Sequence, residues 1–89
     1  MYFNPISSSG STGTEYSSTF SDSDFSGGEY IVSAATHGKG LSPGVQVFEL
    51  DGSDYTENTS AVEITIDSSG NVTVTVTVGD EFTGKIIIH

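Results

Sequence analysis

Residues 71–78 read N-V-T-V-T-V-T-V, with valine at every even position and threonine between. A period of two is the spacing at which a pleated strand sends successive side chains to opposite faces. Valine on one side and threonine on the other describes a strand with one face in a core and one in water. Strands covered on both faces lose that alternation, so the pattern points to an antiparallel sheet and an all-β chain.

Turn signals recur at short intervals from Asp24 onward, the rhythm of a sandwich made of short strands. A first strand is expected over 29–34. It is broken by a glycine-rich loop over 36–44, where Gly38, Gly40 and Gly44 accompany Pro43. The next segment, 45–50, is apolar at 45, 47, 48 and 50, which predicts a central strand. Asp51-Gly52 suits a tight hairpin turn, with a short returning strand from Asp54. Residues 62–66 alternate and lead through Asp67-Ser68-Ser69-Gly70-Asn71 into the valine-threonine run, predicting a hairpin. The chain ends in the β-branched run 86–88, which ties the C-terminus into a sheet. The expected fold is a small antiparallel β-sandwich, immunoglobulin-like or jelly-roll-like. Its expected core is Tyr30, Val32, Val45, Val47, Phe48, Val62, Ile64, Ile66, Val72, Val74, Val76, Ile86 and Ile88.

Residues 1–23 are dominated by serine, threonine and glycine, with Tyr2, Phe3, Ile6, Tyr16 and Phe20 spaced too widely to build a core. Purely solvating linkers are poor in aromatic residues. The segment is therefore expected to be an extended arm that becomes ordered on a neighbouring subunit, with 24–89 folding as the sandwich without it.

Twelve acidic residues against Lys39 and Lys85 give a formal charge of −10, and arginine is absent. Backbone binding to nucleic acid needs clustered cations, so that partner class is excluded. The absence of cysteine removes disulfide frameworks and thiolate zinc sites. No apolar run is long enough for a membrane-spanning helix, and the first residues lack the basic and apolar regions of a secretory leader, so no membrane role is expected.

No catalytic constellation emerges. His37 lies in the glycine-rich loop beside Lys39 and His89 stands at the end of the sequence, but the serines are too numerous to single out a nucleophile and no Gly-x-Ser-x-Gly elbow is present. His37 is expected to bond loop backbone in a constrained turn. Asp22-Ser23-Asp24 and Asp51-Gly52-Ser53-Asp54 do not match a calcium loop and read as turn and capping carboxylates. Neither a metal nor a cofactor is expected. The row Thr73, Thr75, Thr77 reads as a solvated sheet face that is flat enough to bind another surface.

Five segments in order carry a resemblance: Asp24-Phe25-Ser26-Gly27-Gly28-Glu29-Tyr30-Ile31, Ala35-Thr36-His37-Gly38-Lys39-Gly40, Val45-Gln46-Val47-Phe48-Glu49, Gly70-Asn71-Val72-Thr73-Val74 and Phe82-Thr83-Gly84-Lys85-Ile86. Together they resemble the small β-sandwich virion accessory proteins, of decoration or tail-fibre type, of tailed bacteriophages. The resemblance covers residues 24–89 and implies a non-enzymatic component of the virion that binds the major capsid or another virion protein and oligomerises on the particle. A capsid decoration or cement role is its leading implication. Tail or fibre placement, with Tyr30, Tyr55 and Phe82 as aromatic contacts for host-surface glycan, and an extracellular filament subunit are the alternatives.

Overall fold

The structure, a computed structural model, describes residues 15–89. Seven strands run in the order β1 (Tyr16–Phe20), β2 (Glu29–Val32), β3 (Val45–Asp51), β4 (Asp54–Glu57), β5 (Glu63–Ile66), β6 (Val72–Thr75) and β7 (Gly84–Ile88). A 3₁₀ turn (Asp22–Asp24) follows β1, and a single helical turn, α1 (Ala34–His37), follows β2. The strands form a four-stranded sheet, β1-β7-β3-β4, and a three-stranded sheet, β2-β6-β5, with every pairing antiparallel. The subset β2-β6-β5 facing β7-β3 is the strand order of an immunoglobulin-like sandwich.

Both sheets contribute to one core. Val47, Ile86 and Ile88 enter it from the four-stranded sheet and Val32, Val72 and Val74 from the three-stranded one. Registers place Val47 opposite Ile86 and Val74 between Tyr30 and Ile64, so the alternation read from the sequence is the alternation that fills the interior. The valine-threonine ladder is shorter than the run that encodes it. Past Thr75 the Val76 amide bonds the carbonyl of Gly28, and Val78 is exposed. The first expected strand likewise stops at Val32, because Ser33 caps α1, its side chain accepting from the Thr36 amide at 3.3 Å.

The boundary at residue 23 is corrected. Tyr16–Phe20 pairs along its whole length with β7, from Tyr16 opposite Ile88 to Phe20 opposite Gly84. Phe20 is only 3% exposed, and Tyr16 is half-buried against the same core. These two side chains therefore complete their own domain. Phe20 is the hub of a ring cluster with Phe25, Tyr30 and Phe82 at centroid distances of 5.5, 5.0 and 5.6 Å. Tyr2, Phe3 and Ile6 lie outside the described residues.

Three members of the expected core are also displaced. Phe48 pairs with Lys85 and Glu57 on the outer face of the four-stranded sheet. Ile64 and Ile66 point inward, but β5 is an edge strand and they remain 36% and 38% exposed. Phe20, Phe25 and Phe82 take their places in the core.

Candidate interaction surface

The loop residues His37 and Lys39 come together as a brace. His37 ends α1 and is 5% exposed. Its Nε2 lies 2.7 Å from the carbonyl of Gly70, and its Nδ1 accepts the Lys39 amide at 2.9 Å. An amide can only donate, so Nδ1 is the acceptor and Nε2–H is the donor. Both ring nitrogens are thus committed to backbone, and the ring joins the crossover between β2 and β3 to the β5–β6 turn. Gly70 adopts φ +87°, and a Cβ there would fall on the carbonyl of Gly40. Gly70 is therefore required both for the turn and for this approach.

The same turn is organised by Asp67. Its Oδ1 accepts the amides of Ser69 and Asn71 at 2.9 and 3.0 Å, and its Oδ2 accepts Asn71 Nδ2 at 3.0 Å. Asn71 Oδ1 in turn accepts the Ala34 amide at 2.9 Å. Hydrogen bonds from the Asn71 side chain and backbone, then from Ser69, hold the Asp67 carboxyl below the usual carboxylate range. A depressed folded-state pKa gives stability that is complete above the unfolded value and is lost as pH falls through the folded one. Asp67→Asn keeps an acceptor but turns a donor toward Asn71 Nδ2. The variant is expected to be less stable than the parent at pH 7, with the gap narrowing from about pH 4 downward. Urea midpoints of both chains at pH 7 and pH 3 check this, and a gap of equal size at the two pH values rules out the ionised carboxylate as its source.

The surface with most to offer a partner is the outer face of β7-β3-β4. Registers set Lys85 beside Phe48 and Leu50 beside Tyr55, and Ile87 lies on the same side of β7. Phe48, Leu50 and Ile87 are half-buried and Tyr55 is 39% exposed. Lys85 extends its ammonium over this patch, 5.4 Å from the Phe48 centroid and 4.5 Å from that of Tyr55. The contact shields the aromatic faces and places a cation at the centre of an apolar area. Glu57 borders it on β4. The patch follows from the sequence at 45–50: apolar residues at both 47 and 48 give β3 one core face and one greasy outer face.

Beside the same hairpin, a cleft of about 450 Å³ is lined by residues 49–51 and 56–61. Asn58 closes one wall, donating Nδ2 to Glu49 at 3.3 Å and accepting the Ala61 amide at 3.1 Å. Among the described residues no three histidine, cysteine or carboxylate side chains are arranged to hold a metal ion. Asp24 acts as a cap, its Oδ2 accepting the Ser21 amide at 2.8 Å, and Asp51 and Asp54 flank the two-residue β3–β4 turn. Of the aromatic residues weighed for glycan stacking, Tyr30 and Phe82 belong to the ring cluster and Tyr55 is faced by Lys85. No family model matches the chain, and neither a curated protein nor a solved structure matches it.

Proposed function

We propose that this chain is a non-enzymatic structural protein of a bacteriophage particle, a capsid decoration or cement protein that docks on assembled shell subunits through the outer face of β7-β3-β4. The observation that carries the reading is the patch of Phe48, Leu50, Tyr55 and Ile87 around Lys85 on an otherwise strongly acidic small domain. A contiguous apolar area with aromatic anchors and a polar border is the anatomy of a protein-binding surface. The acidity opposes non-specific association and leaves binding to surfaces of matching shape and charge. The resemblance of five sequence segments, in order, to phage accessory proteins is what suggests the kind of particle. A repeating shell supplies multivalency, by which weak contacts of single copies add up once neighbouring copies also touch.

The test pairs a count with a variant. Quantitative mass spectrometry of purified particles is expected to find this chain in a fixed, near-stoichiometric ratio to the major shell protein. Leu50→Asp/Tyr55→Asp is expected to weaken binding to assembled shells by on the order of 100-fold, with an unchanged urea midpoint. Both substitutions are on the outer face, so the core is left intact. A few copies per particle moves the role to the tail or a fibre, and complete absence from particles ends the virion reading.

A further inference from the structure

Among the described residues the sandwich has four free edges, and of these β5 alone leaves its inward apolar side chains uncovered. Along β1 the inward side chains Tyr16 and Phe20 are already packed, and along β2 so are Tyr30 and Val32. The edge strand β4 is exposed throughout, and its inner-face residues are Asp54 and Thr56, opposite Asp51 and Glu49. Along β5 the inward residues are apolar, yet Ile64 and Ile66 remain more than a third exposed. The sheet that contains β5 has three strands against four in the sheet it faces, so the uncovered side chains sit where a fourth strand would lie. Among the described residues the β5 backbone is paired on one side only, by β6.

We infer that the free edge of β5 accepts, as a fourth strand, residues 1–14 of a second copy of this chain. The inference deepens the assembly role proposed above and rests on it. Charge selects the occupant. All twelve acidic residues and both lysines lie at or after Glu15, so residues 1–14 carry no charged side chain, while Tyr2, Phe3 and Ile6 supply apolar groups. The other long stretches without acidic residues, 30–48 and 68–79, are built into the domain, so residues 1–14 are left to approach an edge flanked by Glu63 and Asp67 without like-charge repulsion between side chains. An added strand bonds the open backbone and covers Ile64 and Ile66 with alternate side chains.

The assembly role proposed above calls for a second copy as the donor, although fourteen residues are also long enough to reach β5 of their own domain. Phe20 of β1 packs on Tyr30 of β2 with centroids 5.0 Å apart, so β2 sits over β1 and β5 lies on the far side of the molecule from the point where residues 1–14 attach. Donor and acceptor on opposite sides make a head-to-tail contact, which propagates from copy to copy into a ring or a row. Fourteen extended residues span roughly 46 Å, enough to leave β1, reach a neighbour and run the length of a four-residue strand.

The native chain has no cysteine, so introduced thiols report cleanly. Chains carrying Asn4→Cys and Thr65→Cys are mixed in equal amounts with oxidised glutathione as the oxidant, and Thr19→Cys, exposed on β1, replaces Thr65→Cys as the control. The expected result is a mixed two-chain disulfide formed at least about tenfold faster with Thr65→Cys than with the control. A single chain carrying both Asn4→Cys and Thr65→Cys is expected to give a ladder of multiples on a non-reducing gel. Equal rates for the two acceptors overturn the inference, and so does a closed single-chain product from the double variant, since the segment then docks on its own β5. In the cysteine-free full chain, Ile66→Lys is expected to lower the mass in solution to that of one chain, with its urea midpoint as the folding control. These measurements use the purified chain alone, so their failure is distinguishable from a failure to bind shells.

Discussion

A chain that begins at Asp24 is expected to fail to fold, whereas one that begins at Glu15 is expected to unfold cooperatively. Removing residues 1–23 deletes β1, whose five residues pair with β7 from Tyr16 opposite Ile88 to Phe20 opposite Gly84. Loss of the Phe20 side chain alone costs about 3–5 kcal/mol, because it is 3% exposed and in contact with three other rings. The deletion also turns β7 from an interior strand into an edge and uncovers Ile86 and Ile88, which have no exposure in the intact domain. A domain of this size is stable by only about 5–15 kcal/mol, and these losses together consume it. Circular dichroism and urea titration of the three chains check the expectation. Equal midpoints for the full chain and the chain from Asp24 would remove β1 from the fold.

The placement of β1 shows which parts of this fold can be read from residues and which cannot. The run of valine and threonine identified β6 because its alternation is local, and β3 was legible as central because its apolar residues crowd both parities. Tyr16-Ser17-Ser18-Thr19-Phe20 has no such pattern. Its inward positions hold a tyrosine, a serine and a phenylalanine, and what makes it a strand is the partner offered by β7 at the far end of the sequence, 64 positions away at Phe20–Gly84 and 72 at Tyr16–Ile88. Ile64 and Ile66 fail in the opposite sense. Their periodicity gives the face correctly, but periodicity contains no information on whether a strand lies at an edge. At the brace, the expectation that His37 bonds loop backbone agrees with the structure, while its partner at Gly70 was hidden by the 33 residues between them. The outer patch was half visible, since Phe48 was assigned to the core and only the ladder with Lys85 and Glu57 turns it outward.

Acidity and the position of the edges act together on what this domain can join. The free strands carry hydroxyls or carboxylates among their outer-face residues, Ser17 and Thr19 on β1, Glu29 beside the exposed Ile31 on β2, Glu57 beside Tyr55 on β4 and Glu63 on β5, which discourages unplanned sheet extension between like-charged copies. The apolar outer patch runs across the larger sheet from β7 over β3 to Tyr55 on the edge strand β4, whereas β5 is an edge of the other sheet. In the proposed assembly, docking through the outer face of the larger sheet and linking through β5 use separate surfaces, so a copy seated on a shell would keep β5 open to its neighbour.

Gly84→Ala is expected to destabilise the domain by at least about 3 kcal/mol, the largest effect of any single-methyl change in the chain. Gly84 is buried in β7 between Phe20 on β1 and Glu49 on β3. A Cβ built there would fall on the carbonyl oxygen of Phe48, with the Phe48 carbonyl carbon and the Glu49 Cα also tighter than ordinary contact. These are backbone atoms of an interior strand, and no side-chain rotation relieves them. To admit the methyl, β7 must move away from β3 at the point where the Leu50 amide bonds the Thr83 carbonyl at 2.8 Å, and that movement strikes the ring cluster through Phe20 and Phe82. Gly44→Ala is the matching control. It adds the same methyl beside β3, where the nearest atom is the His89 Cβ at an ordinary 3.7 Å, and is expected to change stability by no more than about 0.5 kcal/mol. Urea unfolding of both variants at 25 °C decides the matter. A Gly84→Ala midpoint equal to that of Gly44→Ala would mean that β7 and β3 do not approach closely at this position, and the register of the whole four-stranded sheet, including the face that carries Phe48 and Lys85, would have to be redrawn.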